Sequence, residues 1–296
     1  MNKINSKAWK KFFSLNALIF FILVFYVAVF WILVTWGIIT SFKSYSDFRI
    51  NIFGLPKQWV WNYNFIFKMF KVKVSGADGG NFEVGIFTMT WNSILYSVGC
   101  SLASAFTPMI VGYMCARYKN NYSKITISVV IVAMQLPLMN AQLATLKLLR
   151  QIQLYDTIGG MILLKAHPIS FYFLIFLAMF EGIPREYEEA AKIDGAGNWR
   201  IMLHIMFPMA WGTFFTVFML CFIANWNNYT EVILYLPSHP TLSLGIFELS
   251  RTNENGLSTV PMRMSAAVLG FLPPMILFLF FHKRLLVGVS SGGIKG

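Results

Sequence analysis

The chain has 296 residues, of which 57% are hydrophobic and only 12% are charged. That charged share is about half that of a soluble domain, and a soluble fold of this size could not bury so much apolar surface, so lipid must be its solvent. The net charge of +12 does not indicate a nucleic-acid partner, because the basic residues flank hydrophobic runs as membrane-surface anchors do.

The cysteines and histidines do not predict a metal site. The three cysteines, an odd number, lie in or beside apolar segments and are expected to be buried packing thiols. The four histidines are scattered and show no HExxH spacing. These residues are Cys100, Cys115, Cys221, His167, His204, His239 and His282.

Six hydrophobic runs are long enough to cross about 30 Å of hydrocarbon. Residues 1–14 form a basic N-terminus. The first run after it is too long for a signal peptide and lacks a small-residue cleavage site, so it is predicted to be an uncleaved span. The predicted spans are Leu15–Thr40, Ile86–Cys115, Ile125–Leu146, Ile158–Phe180, Pro208–Asn225 and Met264–Phe281.

Two of these runs contain interruptions. Pro137 lies in the third, and Lys165, His167 and Pro168 lie in the fourth. Broken spans are tolerated where the backbone lines a cavity or packs inside protein. A simple proline kink explains the same residues, and both interpretations stay open.

The distribution of lysine and arginine predicts the orientation. With the N-terminus in the cytoplasm, the inner segments 1–14, 116–124, 181–207 and 282–296 carry 13 of the 24 basic residues on the shorter total length. The prediction is an all-α integral membrane protein, residues 15–281 forming six spans, with both termini cytoplasmic. Its long extracytoplasmic loops are 41–85, expected to be partly folded, and 229–263.

Between spans four and five lies a polar stretch, EYEEAAKIDGAGNWRIMLHIMFP, residues 186–208. Pro184 and the glutamates at 186, 188 and 189 suit the first turn of a helix. Glu188 and Lys192 stand four residues apart, the spacing of a helical ion pair. Gly195 is predicted to end this helix in the left-handed conformation, and Asn198 to cap a second helix.

The function of this stretch is ambiguous from its composition. Ala190 and Ala191 leave the helix narrow on one side, where another protein could approach closely. A helix lying along the membrane for its own sake would carry large apolar anchors and basic residues. A docking helix and a plain amphipathic linker both remain open at this level.

The same stretch resembles the EAA loop of ABC importer permeases, whose pattern is E-A-A-x3-G-x9-I-x-L-P. Every spacing matches, with phenylalanine where leucine is usual. The matching residues are Glu189, Ala190, Ala191, Gly195, Ile205, Phe207 and Pro208. The ending RLLVGVSSGGIKG and the segments TSFKS, WNSILYS and FIANWNNYTEV are similar to the second membrane subunit of maltose-type sugar importers.

The resemblance implies a type I ABC importer fold and a permease subunit in a bacterial cytoplasmic membrane. Such a subunit translocates a sugar or oligosaccharide delivered by an extracytoplasmic binding protein. Its partners are a second homologous permease subunit and two ATPase subunits, which hold ATP and magnesium. This chain has no G-x4-GK[ST] loop, so we expect a transport subunit without a cofactor of its own rather than an enzyme.

The resemblance also implies residue roles. The coupling helix that docks on the ATPase would use Glu188, Glu189, Ala190, Ala191 and Gly195. The C-terminal segment 282–296 would reach the ATPase dimer through Gly292, Gly293, Ile294, Lys295 and Gly296. The loop before the sixth span would contact the binding protein through Arg251, Asn253 and Asn255.

A cluster of aromatic and amide residues at the outer end of the fifth span suits a sugar pathway. Aromatic faces stack on sugar rings and amides bond hydroxyls, but Trp and Tyr at a membrane interface also serve as anchors. The cluster is Asn225, Trp226, Asn227, Asn228 and Tyr229.

Two other functions are weighed. The first is import of another solute, such as an amino acid, phosphate or metal, against which the GGIKG ending argues. The second is a membrane enzyme, for which the embedded charges supply no catalytic set, since Lys165 has no acidic partner near it in sequence. The net charge of the outer segments would favour an acidic saccharide only weakly, because salt screens it.

Overall fold

The computed structural model describes residues 3–75, 80–136, 141–251 and 257–291, which are mostly helical. The elements, in chain order, are α1 (Lys3–Ser41), α2 (Tyr45–Ile50), α3 (Tyr63–Met69), β1 (Lys71–Ser75), β2 (Asn81–Gly85), α4 (Ile86–Arg117), α5 (Asn121–Gln135), α6 (Ala141–Gln151), α7 (Ile158–Lys165), α8 (Phe171–Glu181), α9 (Glu186–Ile193), α10 (Asn198–Ile201), a π-helical turn (Met202–Met206), α11 (Phe207–Trp226), α12 (Tyr229–Tyr235), α13 (Leu242–Arg251) and α14 (Val260–Ser291).

Within these ranges, four helical stretches are long and apolar enough to cross a membrane. They are Leu15–Ser41, Ile86–Arg117, Asn198–Trp226 and Val260–His282, and they correspond to the first, second, fifth and sixth predicted spans. The first is apolar on every side and none of its most apolar part is buried within the chain. A helix of that kind requires lipid or a neighbouring subunit around it.

The third and fourth predicted runs are each divided between two helices, so of the two open interpretations the structure has the broken run. The third run is divided between α5 and α6, and Pro137 itself lies outside the described residues. The fourth run is divided between α7 and α8 at residues 166–170. Pro168 disfavours the helical conformation in the residue before it, which explains this second break.

The chain divides into two compact units, and the first comprises Met1–Met69 and Leu249–Leu269. Its core forms where α1 ends, around the carbonyl of Ser41. That oxygen accepts hydrogen bonds from Asn62 Nδ2 at 2.8 Å and from Ser265 Oγ at 2.9 Å. Asn62 Nδ2 also donates to Lys43 O, and Lys43 Nζ donates to Asn51 O.

Aromatic rings cover this polar core on one side. Phe42 lies 5.5–5.6 Å, centroid to centroid, from Trp59, Trp61 and Tyr63. The hydroxyl of Tyr63 is 2.8 Å from Ser41 Oγ. The loop 41–85, expected to be partly folded, therefore contains the helices α2 and α3. Its last part belongs to the second unit and forms the β1–β2 hairpin.

The second unit comprises Phe70–Glu248 and Gly270–Gly296, and α4 is its central helix. Helices α7, α8 and α11 all pack against α4. At Gly112 the backbones of α4 and α8 come close, since a Cβ there would lie 3.0 Å from Phe176 Cβ and 3.1 Å from Leu177 N. Near the other end of α4, the Ser93 hydroxyl accepts from Leu242 N at the start of α13.

A π-helical turn at Met202–Met206 joins α10 to α11. Pro208 follows in the first turn of α11. Proline donates no backbone hydrogen bond, and its ring would clash with the carbonyl four residues earlier, here His204. A wider turn before the proline relieves this clash, as inserted turns in helices commonly do.

The contacts of Asn62 predict a stability effect confined to the first unit. Asn62→Ala removes both donated bonds; Ser41 O keeps its bond from Ser265 Oγ, whereas Lys43 O loses its Asn62 donor, which should cost about 1–3 kcal/mol. We expect a lower thermal midpoint in detergent and faster proteolysis between residues 45 and 69. Asn64→Ala, at an exposed position of the same segment, is the matched control; an equal effect of both variants would contradict this role.

Candidate functional site: the polar helix and the two ends of α4

The polar stretch forms a short helix that ends as its sequence predicts. Helix α9 begins at Glu186 and has three glutamates in its first turn, where negative charge complements the helix dipole. Gly195 follows with φ of +78°, in the left-handed region. There the amides of Gly195 and Ala196 donate to Lys192 O and Ala191 O and satisfy the last carbonyls of the helix.

The start of the next helix differs from the prediction. Helix α10 begins at Asn198, and its N-cap residue is Gly197, with no side-chain capping bond. Asn198 therefore occupies the first helical position and does not cap the helix. Glycine is also an accepted N-cap residue, so composition alone did not distinguish the two positions.

Helix α9 has one buried face and one exposed face. Ala191 is 7% exposed and packs inward. The exposed residues are Glu186, Tyr187, Glu189, Ala190, Lys192 and Ile193. A crevice of about 400 Å³ runs beside the helix and is lined by Glu186, Tyr187, Ala190, Ala191, Asp194 and Ile205. The small alanine side chains leave room for this crevice.

Glu188 lies on the inner side of α9, against the last residue of α4. Its Oε1 is 3.1 Å from Arg117 Nε, and the side chains are 13% and 5% exposed. The pair is an ionic contact and not a hydrogen bond, because the Nε–H group of Arg117 is not directed at Glu188 Oε1. Arg117 also donates from a terminal guanidinium nitrogen to Ile183 O at 2.9 Å. Among the described ion pairs, Glu188 is thus joined to Arg117 rather than to Lys192, the partner that helical spacing suggested.

Aromatic rings surround the same end of α4. Tyr113 makes edge-to-face contacts with Phe180 at the end of α8 and with Phe207 at the start of α11. Phe180 and Phe207 also contact each other. The segment that carries α9 therefore leaves and re-enters the bundle at one aromatic cluster, one turn of helix from Arg117.

In its N-terminal half, at Tyr96, α4 contacts an ion pair that the sequence did not reveal. Lys165 Nζ at the end of α7 lies 2.8 Å from Glu231 Oε1 on α12. Tyr96 Oη on α4 donates to Glu231 Oε2 at 3.3 Å. The two charged side chains are 23% and 24% exposed. An apolar cluster that includes Cys100, Leu149 and Met161 packs around Tyr96.

The candidate pathway residues form contacts within the second unit. Asn225 Nδ2 donates to Ser101 Oγ at 3.1 Å, and Trp226 Nε1 donates to Gly270 O at 2.9 Å. Asn227 donates to Ile223 O, and Asn228 Oδ1 caps α12 by accepting from Glu231 N. Tyr229 stacks on Phe247 with ring centroids 4.3 Å apart. Their role in a pathway stays a prediction.

The remaining predicted positions lie at the edge of the described residues or beyond it. Arg251 is the last residue of α13 and is exposed. Asn253, Asn255 and the tail residues 292–296 lie outside the described residues. In the part of the chain that the structure covers, no three His, Cys, Asp or Glu side chains form a group that could hold a metal. The cysteines there are buried and free.

Comparison with known proteins assigns this arrangement to a family. The family model for the inner membrane component of binding-protein-dependent transport systems matches residues 4–289. The chain belongs to this family. It is therefore a membrane transport subunit rather than an enzyme.

Curated relatives match this membrane component over most of their length. The AraQ permease of an arabinooligosaccharide transport system from Bacillus subtilis is 29% identical over 238 residues, which are 79% of this chain and 78% of AraQ. The MelC permease for melibiose, raffinose and stachyose import, also from Bacillus subtilis, is 26% identical over 273 residues, which are 88% of this chain and 89% of MelC.

A solved structure shares the fold. A bacterial ABC transporter that imports the acidic polysaccharide alginate contains a chain that superposes with a TM-score of 0.75. The alignment covers 93% of this chain and 96% of that one, at 19% identity. At this identity the likeness establishes the fold of a type I importer permease and nothing about the substrate.

The conformation of Gly195 predicts a local effect on α9. Gly195→Ala places a Cβ in the left-handed region, at a cost of about 1–2 kcal/mol, although a Cβ there would meet no atom within 4 Å. Amide hydrogen exchange over residues 186–196 should accelerate about tenfold. Gly195→Asn should have a smaller effect, since asparagine tolerates this conformation.

Gly197→Ala is the control for this measurement, because Gly197 has φ of −71° and open space around its Cα. If Gly197→Ala accelerates exchange as much as Gly195→Ala, the left-handed turn is not the cause.

The pair Lys165–Glu231 predicts a second stability effect. Lys165→Met leaves Glu231 uncompensated and should cost about 2 kcal/mol, less than the ~3–5 kcal/mol of a fully buried pair, since a quarter of each side chain is exposed. The double variant Lys165→Met/Glu231→Met should recover most of the thermal midpoint in detergent. A double variant as unstable as the single one would contradict this account.

Proposed function

We propose that this chain is a membrane-spanning subunit of an ATP-driven importer of a sugar or oligosaccharide, delivered by an extracytoplasmic binding protein. Family membership and the shape of α9 carry this proposal. The relatives named above transport arabinooligosaccharides, melibiose, raffinose and stachyose, and the structural neighbour transports alginate. The saccharides transported by the two curated relatives support a saccharide over an amino acid, phosphate or metal.

The proposed assembly contains a second homologous permease subunit, two ATPase subunits and the binding protein. A second solved complex supports the last of these: it is an alginate transporter bound to its pentasaccharide-loaded periplasmic protein, and it superposes with a TM-score of 0.57. The exposed apolar surface of Leu15–Ser41 suits contact with lipid or the second permease subunit. ATP and magnesium would be held by the ATPase subunits.

In the bacterial cytoplasmic membrane, we infer six crossings with both termini in the cytoplasm. The four long apolar helices account for four crossings. The other two would be the broken pairs α5–α6 and α7–α8, since non-helical backbone at membrane depth is tolerated inside protein or along a cavity. The lysine and arginine bias supports placing α9 on the cytoplasmic side.

The proposed mechanism transmits force from the ATPase to the membrane helices. Helix α9 would sit in a cleft of an ATPase subunit, with Glu189 and Ala190 on its exposed face. Closure of the two ATPases on nucleotide would shift their clefts and the docked helices with them. The membrane helices would then alternate between inward-open and outward-open arrangements around a central cavity.

Further residue roles are part of the proposal. Gly195 would hold the docking helix against its turn, and Ala191 and Glu188 would seat it on the bundle. The tail from Gly292 to Gly296 would contact the ATPase dimer. The segment from Arg251 to Asn255 would contact the binding protein, and the cluster at 225–229 would border the sugar pathway.

The docking face predicts a loss of assembly when its charge is reversed. Glu189→Lys should reduce co-purification of the ATPase subunits at least about fivefold. The ATPase surface that would face the negative charge of Glu189 would then face a positive charge. Truncation after Val289 should lower saccharide-stimulated ATPase activity while leaving the membrane subunits assembled. Co-purification and ATPase activity in proteoliposomes with loaded binding protein are the measurements.

Glu181→Lys is the matched control, since Glu181 is an exposed acidic residue at the end of α8, outside α9. Unchanged ATPase binding by the Glu189→Lys variant, at wild-type expression, would rule out α9 as the docking element.

A further inference from the structure

The contact between Arg117 and α9 lies within the chain, away from the exposed docking face. Arg117 is the last residue of α4, and its side chain is only 5% exposed. It approaches two successive parts of the polar segment. One is the Ile183 carbonyl, just before α9, and the other is the Glu188 carboxylate, within it.

Arg117 links the end of α4 to Ile183, just before α9, and to Glu188 within it. The guanidinium makes a directional hydrogen bond to Ile183 O and an ionic contact with Glu188, so one side chain holds both parts of the segment. The ionic contact is shielded from water by the burial of both side chains, which reduces its screening by salt. A displacement of α9 therefore pulls on α4 directly, without passing along the connecting segments on either side.

Helix α4 is suited to carry such a displacement across the membrane. From Arg117 to Tyr96 it spans 21 residues, about 31 Å, close to the thickness of the hydrocarbon. Tyr113, four residues before Arg117, contacts the rings of Phe180 and Phe207. Tyr96, 21 residues before Arg117 and ten residues after the start of α4, donates to Glu231 of the Lys165–Glu231 pair. One helix thus joins the polar helix to the opposite polar cluster.

We propose that Arg117 is the positioning residue that couples α9 to α4, so that motion of the docked helix becomes motion of the membrane bundle. This inference rests on the proposed function, because it needs an ATPase that moves α9. It adds a step within this chain: Arg117 touches neither nucleotide nor saccharide and acts only through Glu188 and Ile183.

Two variants separate coupling from simple stability. Arg117→Met removes the link and leaves Glu188 buried without a counter-charge. Arg117→Met/Glu188→Met removes the link and both charges, a change that is often neutral for stability. Lys124→Met, which removes an exposed cation on the neighbouring α5, is the control. Each is assembled with the second permease subunit, the ATPases and the binding protein in proteoliposomes.

The measured quantity is saccharide transported per ATP hydrolysed. We expect both Arg117 variants to co-purify with the ATPases and to transport at least about tenfold less saccharide per ATP, within the range of typical coupling energies. Lys124→Met should match the wild type. A double Met variant that transports at the wild-type ratio would overturn the proposal and leave Arg117 with a structural role alone.

A distance measurement tests the rigid link itself. Spin labels at Met114, an exposed residue in the last turn of α4, and at Lys192 on α9, in a chain whose cysteines are replaced by alanine, report the separation of the two helices. In the wild-type background the distance should be the same without nucleotide and with ATP, whereas in Arg117→Met it should change. A nucleotide-dependent change already present in the wild-type background would overturn the link. Failure of the wild-type chain to bind any ATPase would instead contradict the proposed function.

Discussion

The largely shielded contact between Arg117 and Glu188 is the interaction on which the placement of α9 against the bundle depends. A short polar helix outside a membrane bundle has few contacts of its own to orient it, since only Ala191 of α9 is buried. The guanidinium of Arg117 and the ring cluster of Tyr113, Phe180 and Phe207 fix where this helix leaves and re-enters the bundle. Its exposed face is thereby held in a defined position for a partner.

Helix α4 connects two polar sites that differ in chemistry. At its C-terminal end a buried arginine meets a glutamate, and in its N-terminal half a tyrosine hydroxyl meets a lysine–glutamate pair that is a quarter exposed. Between them the helix packs closely, with Gly112 allowing the backbone of α8 to approach. Ionisable groups in a membrane protein are costly unless paired or wet. Both sites satisfy this requirement through partners from other helices.

Local features of the sequence predicted local features of the structure. The glutamates, the alanines and Gly195 lie within ten residues, and capping and dipole effects act over that distance, so the end of α9 and the left-handed turn were predictable. Pro184, expected in the first turn, instead precedes the helix, which begins at Glu186. The four continuous apolar runs form the four long helices, because an uninterrupted apolar run is likewise a local feature of the sequence. Asn198 was assigned as a cap wrongly, because Gly197 beside it is also an acceptable N-cap residue.

Contacts between distant residues were not predictable. Lys165 and Glu231 are 66 residues apart, and no spacing rule joins them. The sequence indicated only that Arg117 belongs to a basic loop. In the structure its side chain is buried and contacts Glu188, which follows it by 71 positions. Pro137 and Pro168 marked the third and fourth runs as interrupted, but the sequence did not decide between a kinked helix and two separate helices. Only a three-dimensional arrangement of α4, α7, α9 and α12 reveals these relationships.

The most direct measurement of the central claim, that α9 receives force from a separate ATPase, is a cysteine cross-link from position 190. Ala190 is exposed beside the crevice, and the native cysteines are buried. A cysteine introduced at position 190 is therefore the thiol that reacts, and it reports contacts of the exposed face of α9. In the complete assembly the account predicts a cross-link between this position and an ATPase subunit, and none from a cysteine at Glu181. A position 190 that stays freely reactive toward a water-soluble thiol reagent in that assembly, without any cross-link, would contradict it.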